Sequence, residues 1–521
     1  VTTPTAYGVG VLNSIKPAIP FGEELVVNGD GSSTVGWGVA YANTTLSINN
    51  NNLRATANSS GAYGLSQSLS LDTSKKYIIT AVINVDNASG GTANLRIATN
   101  STLGSNVTTL STSTGTTTTT FTPTASTMYI GIVDTADSSS NYVEINNISV
   151  KEKTNADFDF TRTSSATRVN PDYLIETVAT DIPRLDYTNG TASILLENQS
   201  TNLFTYSQDF SQSVWQKNSV GSASAPIIAS NFAISPDGTQ NATRVQFNIS
   251  GSTSSDRSFL ENSFALDGSS NYTLSFYIKS NTGVNQDLSV WLNSVYGNII
   301  TVTNKWVRVE QSFSSNSTFN RGFGLAASGN IQQSVDVLIF GAMLEQQSFS
   351  TSLINTSGST VTRAAETLNN AGNSDLINST EGVLYCEIAA LTDLGSYRLI
   401  SLSDGNLNQR ITILYDITDN KIYGQCVNST TQAFIPFVPT SISNMNKIAF
   451  KYKANDFALW VNGVEVGVDT SGVIPTGLDK LSFDRGDGVD DFYGKCKTIA
   501  VFKEALSDTE LACLTSTNNR E

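Results

Sequence analysis

Residues 71–83 (LDTSKKYIITAVI) and residues 266–278 (LDGSSNYTLSFYI) share one pattern. Each stretch starts with Leu-Asp, places a Tyr five residues after the Asp, and then runs into an apolar segment rich in β-branched and aromatic residues. Such segments, bounded by Gly, Ser, Asp and Asn, are typical of β-strands that follow a turn. The shared spacing therefore predicts the same turn and strand at two places in the chain.

The repeat extends well beyond these two stretches. One unit covers 23–152 and the other covers 201–346, and each has a Trp soon after its first strand. Each unit closes on an apolar strand that ends in Glu152 or Glu345, which lie 81 and 79 residues after the Leu of the motif. Matched spacing over such a length predicts one architecture used twice. Short strands joined by polar turns make that architecture a β-sandwich or jelly roll.

The composition supports this fold class. The chain has 521 residues, which is too long for one hydrophobic core, and only 14% of them are charged. Ser, Thr, Asn and Gly supply the polarity, and these residues suit strands and turns. No helical periodicity persists over 15 residues. We therefore predict an all-β protein of tandem β-sandwich (jelly-roll) domains with short extended connectors.

The last quarter of the chain has its own strand pattern. Segments such as GVLYCEI and RITILYDI alternate, and Asn462-Gly463 between two apolar runs predicts a hairpin turn. Ser507 and Glu510 form the sequence signature of a capping box at the start of a short helix. The expected organisation is an extended N-terminal docking arm at 1–22, a jelly roll at 23–152, an irregular connector at 153–200, a second jelly roll at 201–351, a linker at 352–379 and a sandwich at 380–521.

Residues 1–22 are apolar but interrupted by Gly and Pro, which argues against both a helix and a free tail. They predict an extended arm that docks on another protein, with folding back onto the first domain as the alternative. The stretch has neither the basic start nor the unbroken apolar core of a signal or membrane-spanning segment. We expect synthesis in a cytoplasm and no insertion into a membrane.

Several function classes are disfavoured by composition. The chain has no histidine, which removes Ser–His–Asp and Cys–His catalysis and His-based zinc sites. Its net charge of −15 repels phosphate backbones, so we expect no nucleic-acid binding. The four cysteines, none in a CxxC pair, are interpreted as buried thiols, with disulfides as the alternative in an exported chain.

Three stretches resemble known proteins. SATRVNPDYLIETVATDIPRLDY (165–187) and LLENQSTNLFTYSQDFSQSVWQ (195–216) resemble a connector found in many phage tail and structural proteins. In those proteins the connector opens a carbohydrate-binding-module-like domain, and IFGAMLEQQSFSTSLINTSGSTVTRAAE (339–366) resembles the end of that domain. VNGVEVG (461–467) and FYGKCKTIAVFKEALSDTEL (492–511) resemble the closing strands and helix of a concanavalin A/laminin-G-like fold.

The resemblance implies a structural virion protein of a bacteriophage, a tail fibre or a surface or head decoration, made in the bacterial host cytoplasm and located on the virion surface. It implies weak glycan binding on the host surface, other virion proteins as partners through the N-terminal arm, and a homo-oligomer, of which a trimer is expected. A purely structural decoration is one alternative. A glycan-degrading enzyme is the other, and it is disfavoured because no Glu-x-Asp pair occurs in the chain. We expect no catalytic residue.

Glycan binding requires exposed aromatic rings that stack on sugar faces. The candidate rings are Trp37, Tyr41 and Tyr63 in the first unit, Trp215, Trp291 and Tyr296 in the second, and Trp460 in the last domain. For each of them, burial in a core is the alternative.

One loop is a candidate metal site. The stretch FDRGDGVDDF brings Asp484, Asp487, Asp490 and Asp491 close together in sequence, and carboxylates on a turn suit Ca²⁺. The spacing is not that of an EF-hand, so a solvated acidic loop is the alternative.

Overall fold

The computed structural model describes residues 24–73, 75–86, 93–111, 114–136, 139–153, 158–292, 294–315, 320–392, 397–417 and 420–517, together with the short strands β1 (Tyr7–Gly8) and β2 (Val11–Leu12). Strands β1 and β2 pair antiparallel; the rest of the expected docking arm lies outside the described residues. Nearly all regular structure in these ranges is β-strand, so the all-β prediction is confirmed. No helix in the described ranges is long and apolar enough to span a membrane.

Residues 16–157 form one compact unit, whose described part is a two-layered sandwich. Its strands are β3 (Gly38–Val39), β4 (Thr44–Asn49), β5 (Asn52–Ala57), β6 (Gly61–Ser70), β7 (Lys76–Asp86), β8 (Asn94–Ala98), β9 (Thr108–Ser111), β10 (Gly115–Phe121), β11 (Thr127–Ala136) and β12 (Tyr142–Lys153). They form two sheets, with orders β10-β7-β12-β5-β4 and β3-β6-β11-β8-β9. Alternate side chains such as Leu53, Ala55 and Ala57 on β5 point into the core between the sheets.

Residues 200–345 form a second sandwich with the same design. Its strands are β19 (Trp215–Val220), β20 (Ala223–Ala233), β21 (Ala242–Ile249), β22 (Arg257–Ala265), β23 (Asn271–Ser280), β24 (Gln286–Leu292), β25 (Val295–Val302), β26 (Val307–Ser314), β27 (Asn320–Ser328) and β28 (Ser334–Glu345). The sheet orders are β26-β23-β28-β21-β20 and β19-β22-β27-β24-β25. Strand for strand, these are the two orders of the first sandwich. The predicted repeat is therefore confirmed in topology.

The repeated Leu-Asp-x4-Tyr motif makes the same contacts in both sandwiches. The backbone N–H of Asp72 donates to the hydroxyl of Tyr77 over 2.9 Å, and that of Asp267 donates to Tyr272 over 3.1 Å. Each Tyr is the second residue of the equivalent strand, β7 or β23. The buried ring brings the hydroxyl back to the turn, which satisfies a backbone donor and fixes the turn against the strand.

The third sandwich uses strands from two separate parts of the chain. Its strands are β16 (Arg184–Asp186), β17 (Ser193–Leu196), β31 (Glu381–Ala390), β32 (Arg398–Ser403), β33 (Gln409–Tyr415), β34 (Ile422–Asn428), β35 (Thr430–Phe437), β36 (Asn446–Lys453), β37 (Phe457–Val461), β38 (Val464–Asp469), β39 (Lys480–Ser482) and β40 (Gly494–Phe502). The sheets have the orders β16-β17-β40-β31-β36-β37-β38 and β35-β34-β33-β32-β39. Since β16 and β17 precede the second sandwich, that sandwich is an insertion between β17 and β31.

The segments expected to be an irregular connector and a linker contain paired strands. Strand β13 (Asp159–Thr161) pairs with β30 (Thr367–Asn369), β14 (Ala166–Val169) with β15 (Ile175–Val178), and β18 (Ser200–Asn202) with β29 (Val361–Arg363). The prediction of an irregular connector is wrong for 159–196, because its backbone groups pair with β30, more than 200 residues away, and with β40. The start and end of the inserted sandwich are thus held side by side.

Local predictions for the last sandwich hold. Asn462 and Gly463 have φ values of 51° and 90° at the turn between β37 and β38, as a tight hairpin requires. Helix α1 (Asp508–Thr515) begins at a capping box of Ser507 and Glu510. All four cysteines are free thiols; Cys386, Cys426 and Cys496 are buried, whereas Cys513 is exposed.

Candidate functional site

Most of the aromatic rings proposed from sequence belong to the cores. Trp37 and Tyr63 lie in the core of the first sandwich and Trp215 in that of the second. The indole nitrogens of Trp37 and Trp215 donate to the carbonyls of Val27 (3.0 Å) and Tyr206 (2.8 Å), so their polar atoms are satisfied inside the protein. Their assignment as glycan-stacking residues is wrong for this reason.

The remaining predicted rings also pack on other side chains. Trp460 is buried in a small cluster beneath α1, and Tyr41 packs, half-buried, on apolar residues outside the first sandwich's core. Trp291 and Tyr296 lie together on the outer face of the β24–β27 sheet, with ring centres 5.3 Å apart. Trp291 is only 4% exposed and donates to the Glu261 carboxylate over 2.5 Å, so the half-buried Tyr296 is the more accessible ring of this pair.

The four aspartates of the predicted metal site are not gathered around a common point. Arg485 forms ion pairs with Asp487 (2.9 Å) and Asp490 (3.1 Å), and the Asp491 carboxylate accepts from the Tyr493 hydroxyl. Within the described residues, no group of three or more acidic or cysteine side chains is arranged to hold a metal ion. The Arg485 guanidinium is the cation that Asp487 and Asp490 contact.

Burial raises the pKa of two carboxyl groups in this loop. Desolvation raises the pKa of Asp491 to about 6, with a smaller contribution from the neighbouring carboxylates. Burial also raises the pKa of Asp484, whose side chain accepts from the backbone N–H of Gly486 over 2.5 Å. The loop therefore keeps two carboxyl groups that are hard to ionise, next to two that Arg485 neutralises.

Residues of the connector and the linker meet in a buried charge cluster, which consists of Arg162, Arg184, Arg363, Glu197 and Glu366. All five side chains are at most 3% exposed. Glu366 accepts from Arg162 Nη1 (2.7 Å), from Arg184 Nε (2.9 Å) and from the backbone N–H of Glu197 (2.9 Å). Arg184 Nη2 donates to Glu197 over 2.8 Å, and Arg363 Nη1 lies 3.3 Å from the same carboxylate.

Ionisation is what holds this cluster together. Burial opposes charge on Glu197, yet Arg363 and Arg184 keep its pKa far below the ordinary range. The same carboxylates keep the pKa of Arg184 raised despite its burial. The cluster joins β16, the residue that follows β17, and β29, so it ties the inserted sandwich to the third one.

Next to the charge cluster lies a cleft of about 460 Å³, which we call the aromatic cleft. It lies between strand β26 of the second sandwich, the β14–β15 hairpin and the segment 350–353. Its lining residues are Thr167, Arg168, Val169, Tyr173, Ile175, Asp186, Thr188, Leu195, Glu197, Pro236, Tyr277, Trp306, Arg308, Glu310, Ser350, Thr351, Ser352, Leu353, Leu391 and Lys495. Aromatic surface and charged groups therefore meet in one concavity.

Three rings supply the aromatic surface. Trp306 and Tyr277 are half-buried and rest on a small apolar cluster that includes Phe340 and Met343. Tyr173 is 62% exposed and lies in the turn of the β14–β15 hairpin, where its φ of 61° helps form the turn. Two of these rings are thus held in place by apolar packing, and the third is open to solvent.

Trp306 was not among the rings proposed from sequence. Of the five tryptophans, all described, it is the one that is not buried in a core or cluster. A signal for it does exist, because Trp306, Arg308 and Glu310 follow each other at intervals of two in an alternating strand. Residues at that interval share one face of a strand, and here that face is the wall of the cleft.

Most charges in the cleft are already paired. Lys495 donates to Asp186 over 2.8 Å, and Arg168 binds Glu176 through Nε over 2.6 Å. Burial would raise the pKa of Asp186, but the charge and hydrogen bond of Lys495 lower it below its usual value. Arg308 differs from these cations, and its contacts are few.

Among the described residues, the Arg308 guanidinium has one close hydrogen bond, from Nη2 to the Ser275 hydroxyl at 2.9 Å. A second contact joins Nη2 to the sulfur of Met343 at 3.7 Å. Nε is buried without a hydrogen-bond partner, and the Glu310 carboxylate lies 3.9 Å from it. The guanidinium lies 5.6 Å from the centre of the Tyr277 ring.

A second cavity of about 460 Å³ lies between the second and third sandwiches and is mostly polar. Its lining residues are Asn198, Ser269, Ser270, Asn271, Gln346, Gln347, Ser348, Phe349, Leu391, Thr392, Arg398 and Tyr493. The Arg398 guanidinium donates to the Thr392 carbonyl over 2.7 Å. This cavity offers hydroxyl and amide groups but few ring faces.

Comparison with known proteins gives structural similarity only. No protein-family profile and no curated protein matches the sequence. The carbohydrate-binding module CBM40 of the Ruminococcus gnavus IT-sialidase, bound to α2,3-sialyllactose, is 17% identical and matches 27% of this chain and 84% of its own, with a TM-score of 0.24. The CBM22-1–CBM22-2 tandem domain of Paenibacillus barcinonensis Xyn10C is 9% identical and matches 63% and 99%, with a TM-score of 0.21.

A third similar structure is the LG4-5 pair of the mouse laminin α1 chain. It is 10% identical and matches 56% of this chain and 93% of its own, with a TM-score of 0.19. These similarities are limited to the β-sandwich fold.

Proposed function

We propose that this chain is a non-enzymatic glycan-binding protein of a bacteriophage virion, a tail fibre or a decoration, and that the aromatic cleft binds the glycan. The observation that carries the proposal is the face formed by Trp306, Arg308 and Glu310, with Tyr173 and Tyr277 in the same cleft. Ring faces that stack on apolar sugar faces, combined with a few placed polar groups, are the usual composition of a small-ligand site.

The ionisation of the cleft supports binding without turnover. Glycoside hydrolysis needs one carboxyl group that stays protonated to act as the general acid. Asp186 and Glu197 both have pKa values held below their usual range by Lys495 or by the charge cluster. These two of the three carboxylates in the lining therefore do not fit the role of that acid.

The virion location is supported by the stretches that resemble phage proteins. Residues 165–187, 195–216 and 339–366 contain most of the charge cluster and both strands of the β18–β29 pair. In this proposal they hold two sandwiches rigidly together on the particle surface, while the N-terminal arm docks on other virion proteins. A homotrimer would multiply weak single-site contacts with the host surface.

The binding site is tested with a glycan array on the full-length protein and on two variants. Trp306→Ala removes the stacking ring of the cleft, and we expect at least about a tenfold loss of affinity, as for a buried aromatic anchor. Tyr296→Ala is the matched control, because it removes a half-buried ring from another face. Loss of binding in Tyr296→Ala with retention in Trp306→Ala would move the site to the outer face of the sheet.

Two further measurements address the rest of the proposal. A reducing-end assay on the glycans that bind is expected to show no released sugar, and release would refute the non-enzymatic role. A chain lacking residues 1–22 is expected to fold but to be absent from assembled particles. Normal incorporation of that chain would refute docking through the arm.

A further inference from the structure

We infer that the aromatic cleft recognises an acidic glycan, and that Arg308 binds the carboxylate of the sugar that stacks on Trp306. This inference rests on the proposed glycan binding at the cleft and names the class of ligand. Among the described residues, Nη2 donates to Ser275, and the Nε atom, 3.9 Å from Glu310, has no hydrogen-bond partner.

An under-used guanidinium is unusual at a half-buried position. The Arg308 side chain is 19% exposed, and a buried cation normally has its donors occupied by carboxylates or carbonyls. Leaving donors unpaired costs stability, whereas a planar guanidinium is well suited to hold a carboxylate. The buried Nε is closed to a ligand, so the capacity that the folded chain leaves unused lies at the Nη atoms, where Ser275 takes one close hydrogen bond.

The other cations of the cleft do not have this capacity. Arg168 is occupied by Glu176 and by the carbonyl of Leu185, and Lys495 is occupied by Asp186. A ligand carboxylate that approached either of them would compete with an existing ion pair. Arg308 has only the longer ion pair with Glu310, at 3.9 Å, so a ligand carboxylate meets the weakest competition at this cation.

The strand geometry places the two recognition elements at a useful distance. Side chains two positions apart on one strand lie about 7 Å from each other. A sugar ring stacked on Trp306 therefore brings a carboxylate on its edge, or on the adjoining sugar, to Arg308. Glu310 is the next residue on the same face, and its side chain is 49% exposed. Its negative charge opposes a ligand carboxylate that lies beyond Arg308.

Long-range charge does not decide the outcome. The chain carries −15 overall, but charges further than about 8 Å are largely screened at physiological salt. Within the lining, Arg168, Arg308 and Lys495 balance Asp186, Glu197 and Glu310. The ion pair between Arg308 and a ligand carboxylate thus outweighs the repulsion of an acidic glycan by the net charge of the chain.

The decisive experiment changes the ligand rather than the protein. Binding of oligogalacturonate to the full chain is compared by calorimetry with binding of its methyl ester, at 150 mM NaCl. We expect the free acid to bind at least about tenfold more tightly, since a charge-assisted hydrogen bond is lost in the ester. A sialylated trisaccharide and its ester form a second arm, which distinguishes the two sources of a sugar carboxylate.

Three variants locate the effect. Arg308→Gln is expected to abolish the preference for the acid, and Arg308→Lys to restore part of it. Glu310→Gln removes the neighbouring anion and is expected to strengthen binding of the acid two- to fivefold. This opposite response is one that a merely misfolded variant would not give.

Equal affinity for acid and ester, in both arms, overturns the inference. If the ester still binds and Trp306→Ala abolishes that binding, glycan binding at the cleft stands while the acidic specificity falls. If Trp306→Ala changes nothing for either ligand, the proposed site falls as well. The two failures are therefore distinguishable.

Discussion

Replacing Glu366 with Gln is expected to destabilise the 158–521 unit more than any surface charge removal. The carboxylate is completely buried and accepts from Arg162, from Arg184 and from the backbone N–H of Glu197. The cluster contains three guanidinium groups and two carboxylates, so the variant leaves a single carboxylate among three buried cations. Breaking a buried ion pair in this way costs about 3–5 kcal/mol.

The size of the expected melting shift follows from the size of the unit. Unfolding entropy is about 2.1 cal/mol/K per residue, and the unit spans 158–521, so the expected fall in Tm is about 4–7 °C if its two sandwiches unfold together. Differential scanning calorimetry of the full chain measures it at neutral pH. Glu381→Gln is the control, since the Glu381–Lys453 pair is exposed and is worth less than about 1 kcal/mol.

The outcome is open to refutation in two ways. A Tm for Glu366→Gln equal to that of Glu381→Gln would show that the charge cluster contributes no more than a surface pair. Two separate transitions, with only one of them shifted, would show that the cluster does not couple the inserted sandwich to the third one.

Three further predictions follow from local contacts. Because burial raises the pKa of Asp491 to about 6, the folded chain holds this proton more tightly than the unfolded chain; Asp491→Asn should therefore raise Tm at pH 7.5, and this gain should shrink as the pH falls to 4. Tyr272→Phe leaves the Asp267 N–H without its acceptor and should cost about 1 kcal/mol in urea denaturation, as should Tyr77→Phe in the first sandwich; a zero effect in both would refute the role of the motif. In a thiol titration with a chromogenic disulfide, one of the four cysteines, Cys513, should react in the native chain, and rapid reaction of all four would contradict the buried positions of the others.

The repeated fold could be predicted because its signals are local. A strand shows alternation over a few residues, and a turn shows its Gly, Asn or Asp, so the Leu-Asp-x4-Tyr motif marks the same turn and strand wherever it occurs. The matched spacing from this motif to Glu152 and Glu345 then identifies the last strands of the two sandwiches, β12 and β28, as equivalent. Both sandwiches consequently have the same strand order.

The insertion could not be predicted in this way. Strands β16 and β17 have three and four residues and pair with each other, and β17 joins the sheet by pairing with β40, about 300 residues further along the chain. Such short segments carry no period, and pairing between distant strands leaves no local mark. The excess of Arg in the connector was visible, but that Glu197 and Glu366 are its partners became clear only from the fold.

The candidate site was missed for a related reason. Residue type indicates which rings are able to stack on sugars, but the side of the sheet that each ring occupies decides whether it can. Trp37, Trp215 and Trp460 satisfy the chemistry and are turned inward, whereas Trp306 immediately precedes the edge strand β26, next to a hairpin from another part of the chain. The sequence does place Trp306, Arg308 and Glu310 at intervals of two, and this pattern predicts that the three side chains share the face that forms the wall of the cleft.

The side-by-side ends of the inserted sandwich have a consequence for mechanical load. When a folded chain is pulled between two points along it, force runs along the covalent chain and through whichever hydrogen bonds close a loop. Here β18 and β29 close the loop that contains the whole second sandwich. Tension applied between residue 158 and the C-terminal helix is borne first by the β18–β29 and β13–β30 pairs and by the charge cluster. The inserted sandwich is outside the line of force, so its strands stay folded, and its cleft keeps its shape, until these pairs shear.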